Sequence, residues 1–97
     1  MAKRRLPPGY RLGAIAFVEL CRHWRQELRT DPASIASDIR TAVAEQSETF
    51  RLGFDEALAL YLQSTVVDAC PPIIATWDVI AELEDPFAWL EENNGHA

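Results

Sequence analysis

Six prolines stand at four places in this 97-residue chain: Pro7-Pro8, Pro32, Pro71-Pro72 and Pro86. Proline lacks the amide donor that a helix interior needs, and it restrains the residue before it. Helices therefore start or stop at these places. Asp31-Pro32 and Asp85-Pro86 each spell a capping aspartate followed by a first-turn proline. Cys70-Pro71-Pro72 spells a stop. No apolar run between them approaches the roughly 20 residues that a membrane span needs.

Within those stretches the apolar residues repeat at helical spacing. On the first segment, about Leu12 to Arg29, Ala14, Phe17, Leu20, Cys21, Trp24 and Leu28 share a face. On the second, about Pro32 to Glu45, the stripe is Ile35, Ala36, Ile39, Ala42, Val43 and Gln46. Ser47 to Gly53 is expected to connect it to a third helix, with Phe50 and Leu52 as anchors. The third helix is expected over Phe54 to Ala69. Phe54, Leu58, Tyr61, Leu62, Thr65 and Ala69 form its main face, with Leu60 and Val67 opposite. A fourth is expected from Pro72 to Leu83, and a last short one over Phe87 to Glu92, before Asn93-Asn94-Gly95. A short strand pair around Thr65 to Ile74 is the rival to helix there, because Val66-Val67 and Ile73-Ile74 flank the prolines.

The expected fold is all-α: a small single-domain bundle of four helices plus a short C-terminal helix. Residues 1–9 form an extended basic arm because Pro7-Pro8-Gly9 blocks helix, and residues 10–97 form one domain. The expected core is Phe17, Cys21, Trp24, Ile39, Val43, Leu58, Tyr61, Leu62, Trp77 and Ile80.

Charge is divided along the chain. The net charge is −6, but residues 1–40 hold eight bases against four acids and residues 41–97 hold one base against eleven. Overall acidity disfavours a general nucleic-acid coat. Two patterns follow from the division. Arg11, Arg22, Arg25 and Arg29 form a strip on the first helix, and Lys3, Arg4 and Arg5 add to it from the arm. Guanidinium groups suit carboxylates and phosphates. Asp78, Glu82 and Asp85 fall on one side of the fourth helix and its exit, followed by the aromatic and apolar Phe87, Trp89 and Leu90. The acids read as a solvated face, with a phosphate-mimicking surface as the sharper alternative. The aromatic segment resembles a helix-in-groove ligand, against its folding onto its own bundle.

Catalysis finds no motif. No serine sits in a glycine-flanked elbow, and no glycine loop cradles phosphate. Cys21 and His23 point to different sides of a helix, so they do not pair on a metal. His23 reads as a surface histidine and Cys21 as a small core residue. No catalytic residue, metal or cofactor is expected. Met1 to Arg5 before Leu12 to Cys21 superficially resembles a secretion signal, but prolines, Arg11 and Glu19 interrupt it. A cytoplasmic location with reduced cysteines is expected.

The function these features imply is a non-catalytic protein-binding module: an adaptor, inhibitor or assembly subunit of a bacterial or phage system. Its partner is another protein, or itself through head-to-tail pairing of the two charged halves. Leu60 and Val67 mark an expected interface. The alternative is a nucleic-acid contact through the arm and the arginine strip. An enzyme built on the acidic cluster ranks last.

Overall fold

The computed structural model describes residues 4–27 and 30–85. These hold four α-helices, α1 (Pro8–Gln26), α2 (Pro32–Val43), α3 (Glu48–Leu62) and α4 (Val79–Glu84), with a π-helical turn over Gln63–Val67. No strand occurs among the described residues, so the strand alternative at Thr65 to Ile74 is not realised. The expected short helix at Phe87 to Glu92 lies outside the described residues.

α1 begins four residues before Leu12. Pro8 does not block it; it occupies the first turn, where no amide partner is needed. Residues 4–7 of the expected arm are extended, but they are held: Leu6 is buried and the Arg4 amide donates to Glu84 O at 2.7 Å. α2 follows the expectation closely. Asp31 caps it by accepting from the Ser34 amide at 2.8 Å.

The expected connection at Ser47 to Gly53 is mostly helix. Ser47 Oγ accepts from the Phe50 amide at 3.2 Å, and α3 starts at Glu48. Gly53 lies inside the helix because it is a crossing point. A Cβ on Gly53 would come within 2.0 Å of Tyr10 O, and one on Gly13 within 1.9 Å of Phe50 O. Only glycine permits two helix backbones to approach this closely. The contacts advance together along both helices: Gly9 with Thr49, Gly13 with Phe50 and Phe54, Phe17 with Phe54 and Tyr61. Helices α1 and α3 therefore run in the same direction, and α2 is the return connection, about 18 Å long for its 12 residues.

Below the crossing lies an aromatic core. Phe17 meets Phe54 edge-on at 5.5 Å between ring centroids, Tyr61 at 6.2 Å and Trp77 at 6.4 Å. Phe17 and Phe54 are fully buried. Edge-to-face pairs of this kind add about 0.5–1.5 kcal/mol beyond area burial. Trp77 donates its indole N–H to Glu82 Oε2 at 2.9 Å, so its polar end is satisfied. Trp24, Ile39, Val43, Leu58, Tyr61 and Ile80 pack against this core half-buried. Leu62 does not belong to it, being 49% exposed.

α3 ends differently from the expected run to Ala69. The Asp68 amide reaches back to Gln63 O at 3.0 Å, widening the last turn before Pro71. Ala69 adopts a left-handed φ of 53° and redirects the chain. Residues 74–76 then form a turn rather than the start of a helix. α4 starts at Val79, seven residues after Pro72, because Asp78 supplies its cap by accepting from the Ala81 amide.

Candidate binding surfaces

The arginine strip divides. Arg4 and Arg11 are engaged with acids from the second half of the chain, Arg4 with Glu56 and Arg11 with Glu84, each at 3.5 Å. Glu56 also accepts from Tyr10 Oη at 2.6 Å, and the Arg4 guanidinium lies 5.8 Å from the centre of the Tyr10 ring. Burial, helped by the Glu56 carboxylate, pushes the Tyr10 phenol up to about 12. The two charged halves thus meet within the molecule at the N-terminal end of α1.

Arg22 and Arg25 lie farther along the same helix and have no ion-pair partner among the described residues. Arg22 Nε donates to Ile74 O at 3.4 Å, which ties the guanidinium to the turn after Pro72. Arg22, Arg25, Gln26, Ile74 and Ala75 line a groove of about 510 Å³. Arg22 also borders a second concavity of about 200 Å³, lined by Ile15, Val18, Trp77, Asp78, Val79 and Ile80. Both hollows exist because the 74–76 turn and the start of α4 fold back beside α1. Arg22 and Arg25 stand beside apolar side chains there, and Asp78 lines the second hollow only. Arg5 is exposed, and Lys3 and Arg29 lie outside the described residues.

Two acids of the fourth segment are engaged locally: Asp78 caps α4 and Glu82 receives the Trp77 indole. Asp85 follows α4, and its backbone amide closes the last turn onto Ala81 O. Phe87, Trp89 and Leu90 lie outside the described residues.

The expected interface pair separates. Leu60 packs half-buried against the core, whereas Val67 is 73% exposed. Leu12, Ile15, Leu52, Leu62, Val66 and Ile73 are exposed as well. The sequence carried a sign of this. Ser47 followed by Glu48 is a capping residue before an acidic first turn, and a helix begun there places Leu52 and Leu62 away from Gly53 and Ala57.

Other candidate chemistry stays apart. Cys21 is buried and Cys70 exposed, both as free thiols, and burial raises the Cys21 thiol to about 11. His23 is exposed and lies 2.9 Å from Glu27. Among the described residues no three of His, Cys, Asp and Glu come together, and no helix is long and apolar enough to cross a membrane. Comparison with protein families, curated proteins and solved structures finds no match for this chain.

Proposed function

We propose that the chain is a non-catalytic protein-binding module, working in the cytoplasm as an adaptor, inhibitor or assembly subunit of a larger bacterial or phage system. The observation that supports this is the groove beside α1, where Arg22 and Arg25 border an apolar wall on a molecule that is acidic overall. Basic groups over apolar side chains suit a protein surface with both carboxylates and aliphatic groups. A phosphate backbone is served less well, because the fifteen acids of the chain outnumber its nine bases.

The test is in-cell crosslinking followed by mass spectrometry, comparing the full chain with an Arg22→Glu/Arg25→Glu variant. Crosslinks from α1 and the 74–76 turn to one protein, lost in the variant, are the expected result. Crosslinking to nucleic acid at the same residues would replace this reading with the nucleic-acid one.

A further inference from the structure

We infer that the groove bounded by Arg22, Arg25, Ile74 and Ala75 takes an acidic peptide with apolar anchors, a ligand class that rests on the binding-module reading. Three observations on the groove argue for this chemistry. First, Arg22 and Arg25 are three positions apart on α1, so their guanidinium groups project to one side of the helix. The bond from Arg22 Nε to Ile74 O uses one edge of that fork and leaves its terminal N–H donors for a carboxylate. Arg25 keeps its whole fork, with no ion-pair partner among the described residues.

Second, apolar side chains stand beside these cations and Gln26, and they are graded in exposure. Ile74 is buried at the floor and Ala75 is exposed at the wall. The adjoining hollow carries Ile15, Val18, Val79 and Ile80. Arg22 lines both hollows, so a ligand with a carboxylate on Arg22 has an apolar socket beside it. At 1.5 Å per residue, Val18 and Arg25 are about 10 Å apart along α1. A ligand that fills both sites therefore carries its apolar anchor and its acid three or four residues apart if extended.

Third, the one acid among the lining residues sets polarity. Asp78 lines the apolar hollow and does not line the Arg22–Arg25 groove. Carboxylates of the ligand are repelled there and attracted at the Arg22–Arg25 end. The apolar anchor belongs in the hollow of Ile15, Val18, Val79 and Ile80, and the acids in the Arg22–Arg25 groove. A nucleic-acid strand, charged at every step, has no such division and would set a phosphate beside Asp78 if it filled both hollows.

Residues 86–92 of the chain have the required composition, with Phe87, Trp89 and Leu90 ahead of Glu91 and Glu92. A fluorescein-labelled synthetic heptapeptide of that sequence is the probe, titrated with the full-length protein at about 50 mM salt and read by anisotropy. Saturable binding is expected. Arg22→Glu/Arg25→Glu should weaken it at least about tenfold, or about 1.4 kcal/mol. Ala75→Glu, an exposed position, should weaken it by a similar factor, with circular dichroism showing that both variants keep their helices. A heptaglutamate peptide should bind at least about tenfold more weakly than the probe, because it has no anchor. Equal binding by the charge-reversed protein, equal binding of heptaglutamate, or no saturation by about 200 μM would each overturn the ligand class. Tighter binding of a random-sequence DNA duplex that displaces the peptide would also overturn it. Failure of the peptide alongside a protein crosslinked at the same residues removes only this ligand class and leaves the binding module standing.

Discussion

Helices α2 and α3 both pack on α1, by opposite means. α3 meets α1 backbone to backbone, through Gly13 and Gly53, and the seam continues into the fully buried Phe17 and Phe54. α2 meets it through side chains. Trp24 donates its indole N–H to Asp38 at 2.9 Å, and Ile39, Ala42 and Val43 lie half-buried against the core. No residue of α2 is fully buried. Yet α2 has the cleaner amphipathic pattern. A well-formed apolar stripe says that a helix has a side to cover. It does not say how close its neighbour will come. Closeness here depends on two missing side chains, one on each helix, that let carbonyl groups nest against Cα atoms.

The comparison breaks most readily at the crossing. Gly13→Val or Gly53→Val sets a side chain into backbone that cannot rotate away, beyond the usual 1–3 kcal/mol of an overpacked core. Loss of the cooperative unfolding transition is expected for either variant, measured by chemical denaturation. A two-state transition near the wild-type midpoint would mean that the helices separate easily. The next largest effect contrasts the two interfaces directly. Phe54→Ala should cost about 3–5 kcal/mol, and the half-buried Ile39→Ala no more than about 2 kcal/mol. Equal losses would make α2 a full partner in the core.

Alkali should sharpen the same contrast. Tyr10 and Cys21, both on α1, have folded pKa values near 12 and 11, raised chiefly by burial from 10.0 and 9.0. Raised folded values favour the protonated groups, so their contribution is complete below the unfolded values and is lost as pH rises through the folded ones. Stability should therefore decline between about pH 9 and 12, and Tyr10→Phe should flatten the upper part of that decline. The smallest effect lies where α3 leaves the seam. Thr65 Oγ1 is buried there without a hydrogen-bond partner among the described residues. Thr65→Val should be neutral or stabilising by up to about 1 kcal/mol, read as a change in thermal midpoint.

The all-helical fold and the α2 start were legible in the sequence because they rest on local chemistry. Asp31-Pro32 caps and starts a helix whatever its surroundings. The first turns of α3, from Glu48 to Gly53, where a connection is expected from the sequence, were obscured for the opposite reason. Gly53 looks like a chain break until Tyr10 is placed against it, and that contact spans more than forty positions. Leu62 illustrates the cost of misplacing the start. With α3 taken from Phe54 alone, its phase made Leu62 inward; with α3 begun at Glu48, the Gly53–Ala57 side faces α1 and Leu62 turns out. Of the candidate site, Arg22 and Arg25 were legible as cations on one strip. Their separation from Arg11 was not, because Glu84 reaches Arg11 only after α4 folds back along α1.

The parallel seam has a consequence for time rather than strength. Tyr10 and Glu56, hydrogen-bonded across it, stand 46 positions apart. A bundle of successive antiparallel hairpins closes short loops one after another, whereas this molecule must close a long one before its tightest contact exists. α2 is the tether that shortens that search, since each residue it draws into helix contracts the path from α1 to α3. Folding should accordingly be slow for an all-helical chain of this length. Strengthening α2 should speed folding more than it slows unfolding, placing the gain on the folding arm of the chevron.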